Sequence, residues 1–203
     1  MGRKALKLTV LALLPVIVLT LISGCNKSKG KVETTTISKY QEGVPGGVVV
    51  ETHKMTAVVT GVDAARRMVT LEGHDGKKTT IKCGPEIVNF DQIRVGDHLK
   101  VVLTEQMAVS MAADNSLPSD GQATAVTVAP KGAKPGAMIA TAVQVTATVK
   151  DIDLKRHKAT LEFADGSTRK VAVRKDVDLT QRKVGEKVVI LATESLAVSI
   201  DKE

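Results

Sequence analysis

Aromatic side chains are almost missing from this 203-residue chain, which has one Tyr, two Phe and no Trp. Sites that stack bases or sugar rings need such platforms, so single-stranded nucleic acid and stacked carbohydrate are poor candidates for ligands. A strong charge of one sign is missing as well. The 29 Lys and Arg stand against 22 Asp and Glu, and three of the cations, Arg3, Lys4 and Lys7, lie at the N-terminus, leaving 26 against 22. Without a concentrated basic face, no nucleic-acid partner is expected. Cysteine is reduced to Cys25 and Cys83. No zinc-ligand spacing, phosphate-cradling glycine loop or paired acidic motif is present, so no cofactor is expected.

What is present begins at the N-terminus. A basic start leads into an apolar run, Ala5 to Leu21, closed by Leu21, Ile22, Ser23, Gly24 and Cys25. The run falls short of the roughly 20 residues a membrane span needs, and Pro15 interrupts it, so it reads as an export signal. The five closing residues resemble the lipobox of bacterial prolipoproteins. That resemblance implies cleavage before Cys25, diacylglycerol on its sulfur and a third acyl chain on its amine, a firm anchor that makes the membrane a partner. It also implies the outer membrane, facing the periplasm, because Asn26 stands where an inner-membrane retention signal would have aspartate. In a host without an outer membrane the anchor would sit in the cytoplasmic membrane. Residues 1–24 are accordingly read as signal peptide. Residues 25–44, with Lys27, Lys29 and Lys31, are read as the lipidated N-terminus and a flexible tether. Acylation of Cys25 would leave Cys83 without a disulfide partner.

Residues 45–111 align with 135–200, given one deletion near residue 181, with roughly eighteen identities, the mark of an internal repeat. Pro45 and Gly46 match Pro135 and Gly136. Thr70, Leu71, Glu72, Asp75 and Gly76 match Thr160, Leu161, Glu162, Asp165 and Gly166. Thr104, Glu105, Ala108, Val109 and Ser110 match Thr193, Glu194, Ala197, Val198 and Ser199. Apolar residues alternate within each copy, as strands with one buried face require. The phase slips between Val59 and Val62, and between Val149 and Ile152, which predicts a bulge in each copy. Asp75-Gly76 and Asp165-Gly166 predict type I′ hairpins. A short helical turn is expected around Ile87–Ile93 and Val177–Gln181, followed by a strand through Leu99, Val101 and Leu103 and a last one holding Met107, Val109 and Met111. Five or six strands and a turn in about 65 residues resemble an OB-like or related small barrel. The expected fold is all-β: repeat 1 over 45–112, a linker over 113–134 with an extra strand at Ala123–Val128, and repeat 2 over 135–203. Copies this small and poor in aromatics are expected to support each other.

The duplication tests each candidate site, because a residue kept in both copies is needed by the fold or used twice. His53, His74, His98 and His157 face Val143, Ala164, Lys187 and Arg67, so none is kept. Met55, Met68, Met107 and Met111, with His53 and His74, invite comparison with periplasmic copper carriers, whose soft ligands suit Cu(I). However, Met55, Met107 and Met111 align with Val145, Leu196 and Ile200 on the inward face, where core filling explains them. The Trp of the carriers' copper site is absent. Cys83 aligns with Val173 and reads as a buried thiol. Glu72, Glu105, Glu162 and Glu194 are kept in both copies and read as solvated strand positions or as satisfying a backbone bend, the alternative being a duplicated acidic contact for a protein partner. No catalytic residue and no metal ligand is assigned, and no enzyme activity is expected. The chain resembles uncharacterised bacterial lipoproteins with repeated periplasmic β domains, through Val95-Gly96-Asp97 and Thr104-Glu105. The expectation is a non-catalytic binding or envelope-support module with an unidentified envelope protein partner, and the alternative is a copper carrier.

Overall fold

The computed structural model describes residues 32–112 and 120–202. The signal peptide, Cys25 and linker residues 113–119 lie outside the described residues. Ten strands run β1 (Glu33–Lys39), β2 (Gly47–Asp63), β3 (Met68–Gly73), β4 (Lys78–Lys82), β5 (His98–Met111), β6 (Gly121–Val128), β7 (Gly136–Asp153), β8 (Lys158–Phe163), β9 (Thr168–Ala172) and β10 (Lys187–Asp201). They form a single antiparallel sheet ordered β4-β3-β2-β5-β10-β7-β8-β9, with β1 on the outer side of β2 and β6 on that of β7. The all-β expectation holds. Two separate barrels are not formed: β4 and β9 end the path, and β5 pairs with β10 along its whole length.

Several local expectations are met. Register shifts fall between Val59 and Gly61 and between Val149 and Asp151, where the apolar phase slips. Each bulge frees backbone groups that a neighbouring turn satisfies. Val59 donates to the Asp97 carbonyl and accepts from Gly96, while Val149 donates to the Glu186 carbonyl and accepts from Gly185. The helical turns are 3-10, Phe90–Gln92 and Leu179–Gln181. The extra strand expected near Ala123 is β6.

Other expectations are corrected. The hairpins are not type I′, which needs positive φ at both central residues. Only Gly76 (φ 75) and Gly166 (φ 80) are left-handed, and Gly73 and Phe163 donate to Lys77 and Ser167, so each loop has three residues with glycine at its last position. Two strands expected between Leu99 and Met111 are one, because odd-numbered residues keep a single phase throughout β5. Residues 33–39, assigned to the tether, form β1, whose run of Thr and Ile favours extended backbone. The deletion lies at Asp178 rather than 181. Ile87 and Val177 make corresponding hydrogen bonds to Gly84 and Arg174, and only one residue instead of two then precedes the 3-10 turn.

Two apolar clusters sit on the same side of the sheet at opposite ends. The first is Val59, Val69, Leu71, Phe90, Ile93, Leu99 and Ile200, with Val101 and Val198 packed against it. The second is Ala147, Val149, Leu161 and Val188, with Val109, Met111 and Ile190 alongside. Each core borrows from the other half: Ile200 and Val198 of β10 complete the first, Val109 and Met111 of β5 the second.

Candidate functional site

The second core is buried like the first but is bordered by an open groove. An open cavity of about 640 Å³ reaches from Val149, Leu161 and Leu179 past Val188 and Ile190 to Val49 and Met107 near the middle of the sheet. Its wall is almost wholly aliphatic. The first half explains the space, because the same positions are filled there. Ile93 donates its amide to the Phe90 carbonyl as Arg182 does to Leu179, so Phe90 corresponds to Leu179 and Ile93 to Arg182. Phe90 and Ile93 are 1% and 3% exposed. Arg67 seals that core by stacking 4.7 Å over the Phe90 ring and donating to the carbonyls of Cys83, Gly84 and Ile87. In the second half a ring becomes a smaller Leu and an Ile becomes a guanidinium, so the apolar volume is not made up.

The mouth of the cavity is held by Arg174. Its guanidinium donates to the carbonyls of Gln41, Val44 and Gly46, pairs with the Asp176 carboxylate at 2.9 Å and lies 4.2 Å from the Tyr40 ring centre. Asp176 also accepts from the Gly43 amide at 2.9 Å. The Arg174 hydrogen bond and the Gly43 amide lower its pKa from 3.8 to about 2. Residues 41–44, the end of the expected tether, and Gly46 at the start of the first repeat are thereby pinned at the cavity rim.

Arg182 and Glu186 stand in the wall, their side chains 31% and 26% exposed. Arg182 Nη1 lies 3.8 Å from Glu186 Oε1, beyond hydrogen-bond length. Glu186 Oε2 is buried with no partner among the described residues.

The four shared glutamates divide into two kinds. Glu72 pairs with Lys78 at 3.5 Å, and Glu162 with Lys150, both as surface ion pairs. Glu105 and Glu194 face each other directly across β5 and β10, on the apolar side of the sheet, with Glu51 opposite Glu105 on β2. They stay partly solvated, the Glu51 and Glu105 side chains 43% and 44% exposed, and with Glu194 form a row of three neighbouring carboxylates. Burial, with the Glu105 charge beside it, raises the Glu194 pKa. His53 lies 3.3 Å from Glu51 and 3.7 Å from Glu105, with Thr34 Oγ1 3.0 Å from its Nδ1. His74 bonds Thr56, and His157 the Arg174 carbonyl. Cys83 is half-buried against the first core, and burial raises its pKa.

Among the described residues no three His, Cys, Asp or Glu are grouped to hold a metal ion. Met107 and Met111 lie four residues apart on one extended strand, roughly 14 Å along it, too far for one ion. Met107 departs from its expected core role and is 53% exposed at the cavity's outer end.

The cavity itself was not foreseen. Its signal was available as the change of Phe90 and Ile93 to Leu179 and Arg182, hidden until the deletion was placed correctly. Compared with known proteins, the chain matches no family model, no curated protein and no solved structure.

Proposed function

We propose that this chain is a lipid-anchored, non-catalytic binding module of the bacterial envelope, displayed in the periplasm from the outer membrane, and that its ligand site is the cavity of the second half. The cavity carries the reading. Its volume lies within the roughly 300–1,000 Å³ of small-molecule sites, and its aliphatic lining with a few polar groups has their usual character. An apolar groove left open to water forgoes burial, so its presence beside a covered counterpart in the same chain favours use over accident. The anchor rests on Leu21 to Cys25, and the non-catalytic role on the failure of any nucleophile and base to recur in both halves. On this reading each half is an opened OB-like unit, supported by its bulge, four strands and 3-10 turn, with barrel closure given up for pairing with the other half.

Native mass spectrometry of the full chain released from its own envelope tests the site. A small apolar ligand at one per chain is expected. It should be lost from the double variant Leu179→Phe, Arg182→Ile, which restores the packing of the first half and should melt higher. A wild-type chain that carries nothing and takes up no apolar probe would refute the site. Labelled fatty acid absent from Cys25 would refute the anchor.

A further inference from the structure

Strands β1, β4, β6 and β9 each leave one backbone edge unpaired among the described residues. Such an edge is a template for another chain, and proteins commonly guard it with charged side chains, proline or a bulge. Three of the four are guarded by charge. β1 carries Glu33 and Lys39, β4 carries Lys78 and Lys82, and β9 carries Arg169 and Lys170. β6 is the longest of them at eight residues, has no charge, proline or bulge, and is exposed at every position. On the side of the sheet that bears the cores it also shows apolar surface, Val126 being 60% exposed and Ile139, directly opposite on β7, 47%.

We propose that β6 docks against β6 of a second copy of this chain, the two strands pairing antiparallel about a two-fold axis perpendicular to the sheet. Such a contact is isologous and closes after one partner, whereas an unguarded edge left open invites indefinite pairing. Every edge strand that remains in the pair then carries charge. The strand is also complementary to itself. Opposed residues of antiparallel strands point to the same face, so the axis must set one residue against its own copy. Centred on Ala125, the pairing sets Ala123 against Thr127 and Gln122 against Val128, with no like charges opposed. It also brings the exposed Asp120 of each copy beside the exposed Lys131 of the other, and Lys131 has no ion pair of its own among the described residues. Centring on Thr124 would set Asp120 against Val128 and lose that attraction.

The full chain, released from its envelope in excess detergent, is weighed by native mass spectrometry, and the wild type should be a dimer. Ala125→Lys and Ala125→Glu each set like charges against each other, so either alone should be chiefly monomeric, while an equal mixture should pair again. Both changes fall at an exposed position and should leave the melting temperature unchanged. Cysteine pairs read the register. With the parent chain as control for Cys83, Ala125→Cys should crosslink to its own copy through a short bismaleimide, whereas Ala123→Cys should crosslink to Thr127→Cys and not to itself. A monomeric wild type overturns the proposal, as does a dimer that survives either charged variant, or a crosslink from position 125 to a different envelope protein. The wild-type mass and the cysteine pairs decide the matter even if the charged variants do not fold.

Discussion

Glu194 shows how a single position departs from its sequence pattern. In β10 it occupies the phase of Ile190, Leu196 and Ile200, so a carboxylate stands where the strand buries apolar residues. Its counterpart Glu105 is the residue directly opposite, and like charges so placed oppose each other. Raised in the folded protein, its pKa makes the ionised form unfavourable to folding. The penalty is absent below the ordinary value of 4.5 and grows as pH rises above it. Glu194→Gln should therefore stabilise the protein at pH 7 by about 0.2–1 kcal/mol, with the gain vanishing near pH 4, read from urea unfolding at both pH values. Gly46 shows a different departure. It has φ 96, and a Cβ built on it would lie 2.1 Å from the Val109 carbonyl oxygen, while one on Gly136 would lie 3.0 Å from that of Val198. These glycines were legible as turn residues, but the reason for them is the backbone passing against β5 and β10.

Among the elements, the segment 41–46 and strand β10 owe their positions to residues far along the chain. Arg174 and Asp176 hold the segment, and the depressed Asp176 pKa sets when they let go. The contribution of this carboxylate is whole above 3.8 and is lost as pH falls toward about 2. Exchange of the Gly43 amide should rise across that window. In Asp176→Asn it should already be fast at neutral pH, as two-dimensional NMR would show. Strand β10 makes a converse contribution. Ile200 is 5% exposed in a core whose other fully buried members come from the first half. Ile200→Ala should cost about 2–5 kcal/mol, and loss of exchange protection in β3, over a hundred residues away in sequence, should accompany it.

For the whole molecule, the pairing of β5 with β10 makes one folding unit of two modules. Neither core is complete without a strand of the other half, so residues 45–112 and 135–203 expressed alone should lack a cooperative thermal transition, while the full chain melts in a single one. Calorimetry decides it, and a fragment melting like the full chain would show that the shared strands are dispensable. Most strands, the bulges and the buried faces were legible because each depends on the period-two pattern of a few neighbouring residues, whereas β1 and the unbroken β5 were not. The choice between self-closure and joining was not, since β5 offers the same alternation to either partner.

By itself the sequence determined the all-β class, the doubled pattern of alternation and the bulge positions, because side-chain period and backbone sterics act over a few residues. Tertiary structure alone decided that the halves share a sheet, that Glu105 meets Glu194, and that an open apolar groove borders one core. Strand partners and the groove depend on groups far apart along the chain, such as Glu105 and Glu194, whose meeting no local pattern encodes.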